Sequence, residues 1–362
     1  MARITVRVSP RPYDVVVERG CLGGAAAQLG ELARGRKLAV VTSEAVWAHQ
    51  GARLERGLAG LDFVRFSVPV GEEHKRLSTV EELAGRMLEA GADRGSLVLA
   101  FGGGVVNDLG GFLAAIYMRG VDVVQIPTTL LAQVDAAIGG KTGVNLAEGK
   151  NLLGAFHQPR LVLVDPAALE TLPEREYRAG LYEVIKCAVI ASDSLFRLLE
   201  ERREEVLRRA PEVVEALIAE SVRIKAEVVA ADEREGGWRR ILNFGHTFGH
   251  ALEAETKYQR LLHGEAVAFG MEAACWLAEK AGMLGGAERA AIEELIRSYG
   301  PIPSLEGIQA ERLAARLAQD KKTMGGQVNF VLPERIGRAG VVSGIDAGLA
   351  RAAAEQALRR HC

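Results

Sequence analysis

Three of the chain's seven histidines fall within eighteen residues, in the run Asn243-Phe244-Gly245-His246-Thr247-Phe248-Gly249-His250 and the following Leu262-His263-Gly264-Glu265. A helix through the first run sets His246 and His250, four residues apart, on one face, and His263 comes within reach after a turn. Neutral imidazole suits Zn²⁺, and a catalytic zinc site usually takes three protein ligands and keeps one position open. An isolated histidine is more often an ordinary surface or core residue, but three so close together point to a site.

A second constellation can receive an anion. Phe101-Gly102-Gly103-Gly104-Val105-Val106-Asn107-Asp108-Leu109-Gly110-Gly111 follows an expected strand and enters a helix. Glycines there let backbone N–H groups approach a pyrophosphate, and the helix N-terminus favours negative charge. The spacing is not the usual GxGxxG, and a tight packing turn could use the same glycines. Pro127-Thr128-Thr129 through Asp135 follows another strand, and Gly139-Gly140-Lys141-Thr142-Gly143 and Gly149-Lys150-Asn151 come next. Their hydroxyls can contact a cofactor, while Lys141 and Lys150 can neutralise phosphate or carboxylate. Gly140-Lys141-Thr142 echoes a P-loop, but position 135 is Asp where that motif needs Gly, which argues against an ATPase.

Further charged residues are spread over the later chain. Glu183 and Lys186 sit in an apolar helical pattern, as a surface pair or as a carboxylate ligand with a substrate lysine. Arg239 and Asn243, four apart, can present a polar stripe to an oxygenated anion, and Lys225 and Asp320-Lys321-Lys322 can add charge.

The elements that must position these groups are legible as patterns. Lys37–Thr42, Phe63–Val68, Ser96–Phe101, Val121–Ile126 and Leu161–Val164 read as strands, and Met1 to Val8 alternates like one. Ala45–Leu58, Thr79–Glu89 and Val105–Ala115 read as helices, giving the βα rhythm of an open sheet that binds ligands near strand ends. Beyond Pro166 to Pro173 the chain is mainly helical, at 174–191, 211–231, 242–256, 262–282 and 287–298. A boundary near 172 follows: an α/β domain over 1–172 and a mainly helical one over 173–362. Gln327–Leu332 and Ala339–Val342 suggest a late hairpin around Pro333 to Gly337, and the Ala/Arg/Glu-rich 198–232 reads as solvated helix surface.

Composition bounds the partners. The chain has 362 residues, 45 Lys plus Arg against 47 Asp plus Glu, and a net charge of -2. That leaves no basic field to collect nucleic acid, although a local pocket for a phosphorylated small molecule is compatible with it. Cys21, Cys187, Cys275 and Cys362 are widely spread, which fits reduced thiols in a cytosol, and neither a signal peptide nor a membrane-spanning run is expected.

Taken in order, these segments resemble the 3-dehydroquinate synthase family, among the sugar phosphate cyclases. The resemblance runs through Gly71-Glu72-Glu73-His74-Lys75, the glycine loop 102–111, Tyr117-Met118-Arg119-Gly120, Pro127 to Asp135, Gly139 to Asn145, Gly149 to Phe156, Gly180 to Lys186, Leu242 to Glu253, His263-Gly264-Glu265 and Asp320-Lys321-Lys322. It implies a Rossmann-like NAD-binding domain, a helical metal and substrate domain, a homodimer and a cytoplasmic location. It also implies conversion of a phosphorylated seven-carbon keto acid, 3-deoxy-D-arabino-heptulosonate 7-phosphate, to 3-dehydroquinate and phosphate, the second step of the shikimate pathway. Other sugar phosphate cyclases, an NAD-dependent polyol dehydrogenase and a noncatalytic NAD- or metal-binding protein are the competing readings.

The same resemblance assigns roles. Glu183, His246 and His263 match metal ligands, for zinc and sometimes cobalt, and His250 matches a proton-transferring substrate-site residue. NAD is implied at Glu72 to Lys75, at Gly104, Val105, Val106, Asn107 and Asp108, at Thr128 and Thr129, and at Ala168, Leu169, Glu170 and Thr171, with Lys141 and Lys150 on the nicotinamide side. Asp135, Lys141, Lys150, Asn151, Lys186, Lys225, Arg239 and Asn243 match positions around substrate, with Lys322 favoured over Lys321 and Arg119 delivered across the dimer. Two residues depart from the family pattern. Asn107 stands where the family loop has Gly, and is expected to tolerate a left-handed backbone there. His74 replaces residues more usual in the Gly-Glu-x-x-Lys segment.

Overall fold

The computed structural model describes residues 1–323 and 328–361, with the side chains of 318–323 outside the description. The chain divides into two compact units, the first made of Met1–Pro173 and Val214–Arg234, the second of Glu174–Val213 and Glu235–Cys362. Val214–Arg234 is thus grouped with Met1–Pro173. That stretch belongs to the helix Pro211–Ala231, whose Leu217, Ile218, Val222 and Val229 are fully buried. The solvated surface expected over 198–232 is thus confined largely to its first part and to edge residues such as Arg223, which pairs with Glu220 and Glu227.

In the first unit the strands are β1 Ala2–Val6, β2 Tyr13–Val17, β3 Leu38–Ser43, β4 Phe63–Val68, β5 Leu97–Gly102, β6 Asp122–Pro127, β7 Lys141–Val144, β8 Leu153–Phe156 and β9 Leu161–Val164. Seven of them form one sheet in the order β1-β2-β9-β6-β5-β3-β4. Only β1 and β2 pair antiparallel in it. Alternate side chains serve opposite faces. Val98 and Ala100 join Leu83, Leu109 and Phe112 from the helices Leu77–Glu89 and Gly104–Ile116, while Leu97, Leu99 and Phe101 join Leu22, Leu54 and Leu163. Burial on both sides explains why β5 reads as a continuous apolar run. The chain steps from β3 to β4 on one side and then to β5 on the other, so the carboxyl ends of β3 and β5 form a topological switch point. The glycine loop begins there.

Asp165, which follows β9, ties the amino-terminal segment to this sheet. Its buried carboxylate accepts backbone N–H bonds from Gly20 at 2.7 Å, Leu22 at 3.2 Å and Ala167 at 2.9 Å. Asp165→Ala is expected to lower stability in urea unfolding by about 2 kcal/mol, because buried donors lose a charged acceptor. Asp165→Asn, which keeps one acceptor oxygen, should cost less; an Ala variant as stable as the parent would contradict this.

Several expected elements are altered by packing. β2 and the β7–β8 hairpin escape the hydrophobic pattern. In the hairpin Gly143 and Gly154, which look like loop residues, allow close backbone approach: a Cβ on Gly154 would lie 2.3 Å from Thr142 O. The helix expected over Ala45–Leu58 carries a wide turn at Trp47–Gly51. The late hairpin forms from β10 Asn329–Arg335 and β11 Arg338–Ser343, with Pro333 inside β10 beside a register shift and Gly337 at the turn; Gln327 lies outside the described residues.

In the second unit the helix His263–Lys280 is buried along nearly its whole length. It packs against the helices Glu174–Ala191, His246–Glu255, Gly286–Tyr299 and Ala347–Leu358. Glu265 accepts the Leu262 N–H at 2.7 Å and is clamped by Arg175 at 2.7 and 2.8 Å, which fixes the start of this helix. Among the described residues, no helix is long and apolar enough to cross a membrane.

Candidate functional site

Close helix packing brings the site of the second unit together. The continuous helix expected over 242–256 is broken: a tight turn, Trp238–Asn243, leads to Gly245 at φ 80°, and the helix starts at His246. A side chain at Gly245 would require a left-handed backbone and would press on Val267 O at 2.7 Å. The helices His246–Glu255 and His263–Lys280 touch through backbone here, since a Cβ on Gly270 would lie 1.8 Å from Gly245 O. On its other side Gly264 meets Ala179 O, 1.9 Å from an added Cβ, in the helix that carries Glu183.

These contacts gather Glu183, His246 and His263, whose ligand atoms all lie within 4.8 Å of one another. Glu183 Oε1 stands 3.9 Å from His246 Nε2 and 3.6 Å from His263 Nε2. Glu183 Oε2 meets the ammonium of Lys186, one turn along the same helix. Both residues are at most 2% exposed, so the surface-pair reading of Glu183 and Lys186 is excluded.

The donor set fits a divalent metal. Glu183 Oε1 is buried with no hydrogen-bond partner, a costly state for a carboxylate unless a cation meets it. His246 Nδ1 lies 3.2 Å from Phe244 O, which can only accept, so Nδ1 carries the proton and the Nε2 lone pair faces Glu183. Burial, with Lys186 and the neighbouring imidazoles, holds His246 well below the usual histidine pKa and keeps it neutral. Two imidazole nitrogens and one carboxylate oxygen make a catalytic zinc set, and bonds of about 2.0–2.1 Å at tetrahedral angles would separate the ligand atoms by roughly 3.3 Å. The separations from Glu183 Oε1, 3.6 and 3.9 Å, are close to that.

His250 lies beside this trio without being grouped with Glu183 or His246. Its ring lies 5.3 Å from that of His246 and 5.9 Å from that of His263, and its side chain is exposed. It groups instead with Glu253 and His263. The three histidines suggested by the spacing thus divide between two candidate groups that share His263, one with Glu183 and His246 and one with Glu253 and His250. Glu253 was not singled out from the sequence. Its signal was a carboxylate three residues beyond His250, on the face of the helix that carries the imidazoles.

Other candidates in this unit lie nearby in sequence. Arg239 is buried at 2% exposure, and Asn243 Nδ2 donates to Glu235 Oε1 at 3.1 Å. Lys322 belongs to the helix Ala310–Thr323, but its side chain is outside the described residues.

In the first unit the glycine loop joins β5 to the helix Gly104–Ile116, with Gly103 as its N-cap. Gly102 accommodates the Val106 side chain and Gly103 the Thr129 methyl, the approaching Cβ positions lying 2.7 and 2.9 Å from those groups. Thr128 N–H donates to Gly102 O at 2.8 Å and Thr129 Oγ1 accepts from Ala132 N at 3.2 Å, so the two segments form one rim. Asn107 corrects an expectation. Its backbone is helical, not left-handed, and its buried Nδ2 donates to Ala100 O at 2.9 Å. The side chain thus anchors the helix to β5 and faces the sheet, away from the loop's open side.

Asp108 turns the other way, onto the buried ammonium of Lys75, which also holds Asn151 Oδ1. Burial raises the Asp108 carboxyl above its usual value, with Lys75 pulling it down. Glu72 accepts from Asn145 Nδ2 at 2.8 Å, and Asn145 Oδ1 receives the Asn151 N–H at 2.9 Å, which joins the segments 72–75 and 145–151. Glu73 is exposed beside His74. Lys225, reaching from the helix Pro211–Ala231, forms an ion pair with Asp135. Lys141 opens β7 and is exposed, Lys150 is half-buried, and Val105 and Gly104 are half-buried in the first helical turn.

Two further groups are placed differently from the loop rim. In the turn Pro166–Thr171, Ala168 and Leu169 are buried and Glu170 pairs with Arg19 and Arg53. Gln50 Nε2 donates to Ala168 O at 3.3 Å and to Thr171 Oγ1 at 2.7 Å, so this turn is held by its own unit. Arg119 is exposed at φ 75°, next to Met118 at φ 49°, and has no partner among the described residues. Consecutive non-glycine residues at positive φ store strain that surface turns seldom carry without use.

Known proteins resemble the chain along its length. The model described as 3-dehydroquinate synthase N-terminal matches residues 65–179, and the one described as 3-dehydroquinate synthase C-terminal matches 180–323. A 3-dehydroquinate synthase from Solibacter usitatus (strain Ellin6076) is 59% identical over 358 residues, 99% of this chain and 100% of that protein. Among solved structures, 2-epi-5-epi-valiolone synthase from Streptomyces hygroscopicus subsp. jinggangensis 5008, with NAD⁺ and Zn²⁺ bound, superposes with a TM-score of 0.89 at 34% identity, covering 98% of both chains. A 2-deoxy-scyllo-inosose synthase complexed with carbaglucose-6-phosphate, NAD⁺ and Co²⁺ shares the fold, with a TM-score of 0.87 at 24% identity over 98% of this chain and 99% of that one. With adjoining family models through both units and a relative 59% identical from end to end, this chain belongs to the 3-dehydroquinate synthase family.

Proposed function

We propose that the chain converts 3-deoxy-D-arabino-heptulosonate 7-phosphate to 3-dehydroquinate and phosphate. In that reaction the C5 carbinol is oxidised, phosphate is eliminated across C6 and C7, C5 is reduced again, and the opened ring closes by an intramolecular aldol step. NAD⁺ supplies a transient hydride acceptor and a divalent metal supplies Lewis acidity, zinc being favoured by the donor set and cobalt compatible with it. Glu183, His246 and His263 would hold the metal.

The chain's own residues have matching tasks. Lys186, buried against Glu183, fixes which carboxylate oxygen faces the imidazoles and places positive charge where a substrate oxyanion develops. Arg239 and Asn243 orient the substrate carboxylate, and His250 moves protons at the substrate. In the first unit the rim of Gly104 to Asp108 with Thr128 and Thr129 serves the pyrophosphate, with Glu72 to Lys75 and Ala168 to Thr171 contributing to the cofactor site. Lys141, Lys150, Asn151 and the Asp135–Lys225 pair are assigned to substrate, as is Lys322. Arg119, exposed in its strained turn, suits delivery to a second copy, in a cytoplasmic homodimer.

The observation that carries this reading is the 59% identity to a 3-dehydroquinate synthase across 99% of the chain. Purified protein given NAD⁺, Zn²⁺ and the heptulosonate phosphate should release phosphate and carbocyclic product in equal amounts with no lasting NADH absorbance. Folded, metal-loaded protein that makes no carbocycle, or that turns over sedoheptulose 7-phosphate instead, would overturn the substrate assignment. Stoichiometric NADH release would identify a dehydrogenase.

A further inference from the structure

We infer that Glu253 is the positioning residue for His263, setting which ring nitrogen offers its lone pair to a metal. The inference rests on the reading of Glu183, His246 and His263 as metal ligands. Glu253 lies in the helix His246–Glu255, with its side chain 3% exposed, and Glu253 Oε2 is 3.4 Å from His263 Nδ1. A carboxylate can only accept, so this contact places the His263 proton on Nδ1 and leaves the Nε2 lone pair directed at Glu183 Oε1, 3.6 Å away. His246 is set in the same sense by Phe244 O, so both imidazoles present Nε2 to one point.

The two candidate ligand trios share His263, and the proton decides between them. With Nδ1 protonated toward Glu253, the one lone pair His263 retains is on Nε2, the nitrogen 3.6 Å from Glu183 Oε1. A carboxylate behind a ligating histidine also fixes ring orientation and raises its basicity, and removing such a partner typically weakens metal binding by about 10–100-fold.

The test measures zinc affinity and stoichiometry of the full chain by competition with a chromophoric chelator, independently of turnover. The parent should bind one equivalent. Glu253→Ala should bind it about 10–100-fold more weakly, and Glu253→Gln, which keeps an acceptor oxygen without the charge, should fall between the two. His250→Ala should bind as the parent does. Near-UV circular dichroism of the metal-free variants checks folding, and the isosteric Gln variant carries the test if the Ala variant does not fold.

Parental affinity in folded Glu253→Ala, or in folded Glu253→Gln where the Ala variant does not fold, would overturn the inference. A second equivalent in the parent, lost in both His250→Ala and Glu253→Ala, would overturn it in favour of a cation held by His250, Glu253 and His263. Glu183→Ala separates the two levels: retention of parental zinc affinity there would remove the metal-ligand reading itself, whatever Glu253 does.

Discussion

His263→Ala should emerge from purification without stoichiometric zinc and with turnover reduced at least about a thousandfold, whereas His250→Ala should keep its metal and lose roughly a hundredfold in turnover. In the proposed site His263 supplies one of the three ligand atoms, with Glu183 and His246, and two ligands hold a catalytic zinc poorly. The loss then includes the several kcal/mol of charge stabilisation a Lewis acid contributes, and about 1.4 kcal/mol is tenfold in rate. His250 is exposed and is not grouped with Glu183 and His246, so under the proposed reading its removal should take away proton transfer while the metal stays. Metal analysis with single-substrate kinetics checks both variants, and equal metal loss in two folded proteins would end this division of labour.

Gly270→Ala is expected to destabilise the second unit by more than about 3 kcal/mol, with a fall in melting temperature of roughly 6–12 °C, the upper range for overpacking in a unit of this size. The added Cβ would lie 1.8 Å from Gly245 O and 2.8 Å from Gly249 N, both backbone atoms that no rotamer change can move aside. Relief requires the helix His246–Glu255 to shift, and His246 heads that helix. Weaker zinc binding should therefore accompany the lower melting temperature. A Gly270→Ala protein with parental melting and metal affinity would mean that the two helices do not meet in backbone contact.

Much of the α/β unit was legible because its strands follow one rule. A strand buried on both faces must be apolar throughout, and Leu97 to Gly102 and Leu161 to Val164 are so buried. The β7–β8 hairpin was not legible, because Gly143 and Gly154 serve a close backbone contact that in sequence looks like a loop. The helical segments were legible as periodicity, but the break at Gly245 depends on what packs against it, the backbone of Val267 and Met271. Asn107 shows the same limit: a residue in a glycine-rich loop invited a left-handed backbone, and the sheet behind it claimed the side chain instead.

By itself the sequence determined the chemistry available: imidazoles at helical spacing, a glycine-rich strand-to-helix turn, a set of lysines and arginines in an almost neutral chain, and an order of motifs that resembles one enzyme family. The resemblance alone implied which of these groups belong together; that they meet in space was decided by tertiary structure. Glu183 is more than sixty residues from His246 in sequence, yet its Oε1 lies 3.9 Å from that imidazole, because Gly264 and Gly270 let three helices approach to backbone contact. Helical periodicity relates residues three or four apart, so it pairs His246 with His250. Contact across helices depends on crossing position and depth of packing, and it brings His246 and His263 to Glu183 and groups His250 with Glu253 and His263.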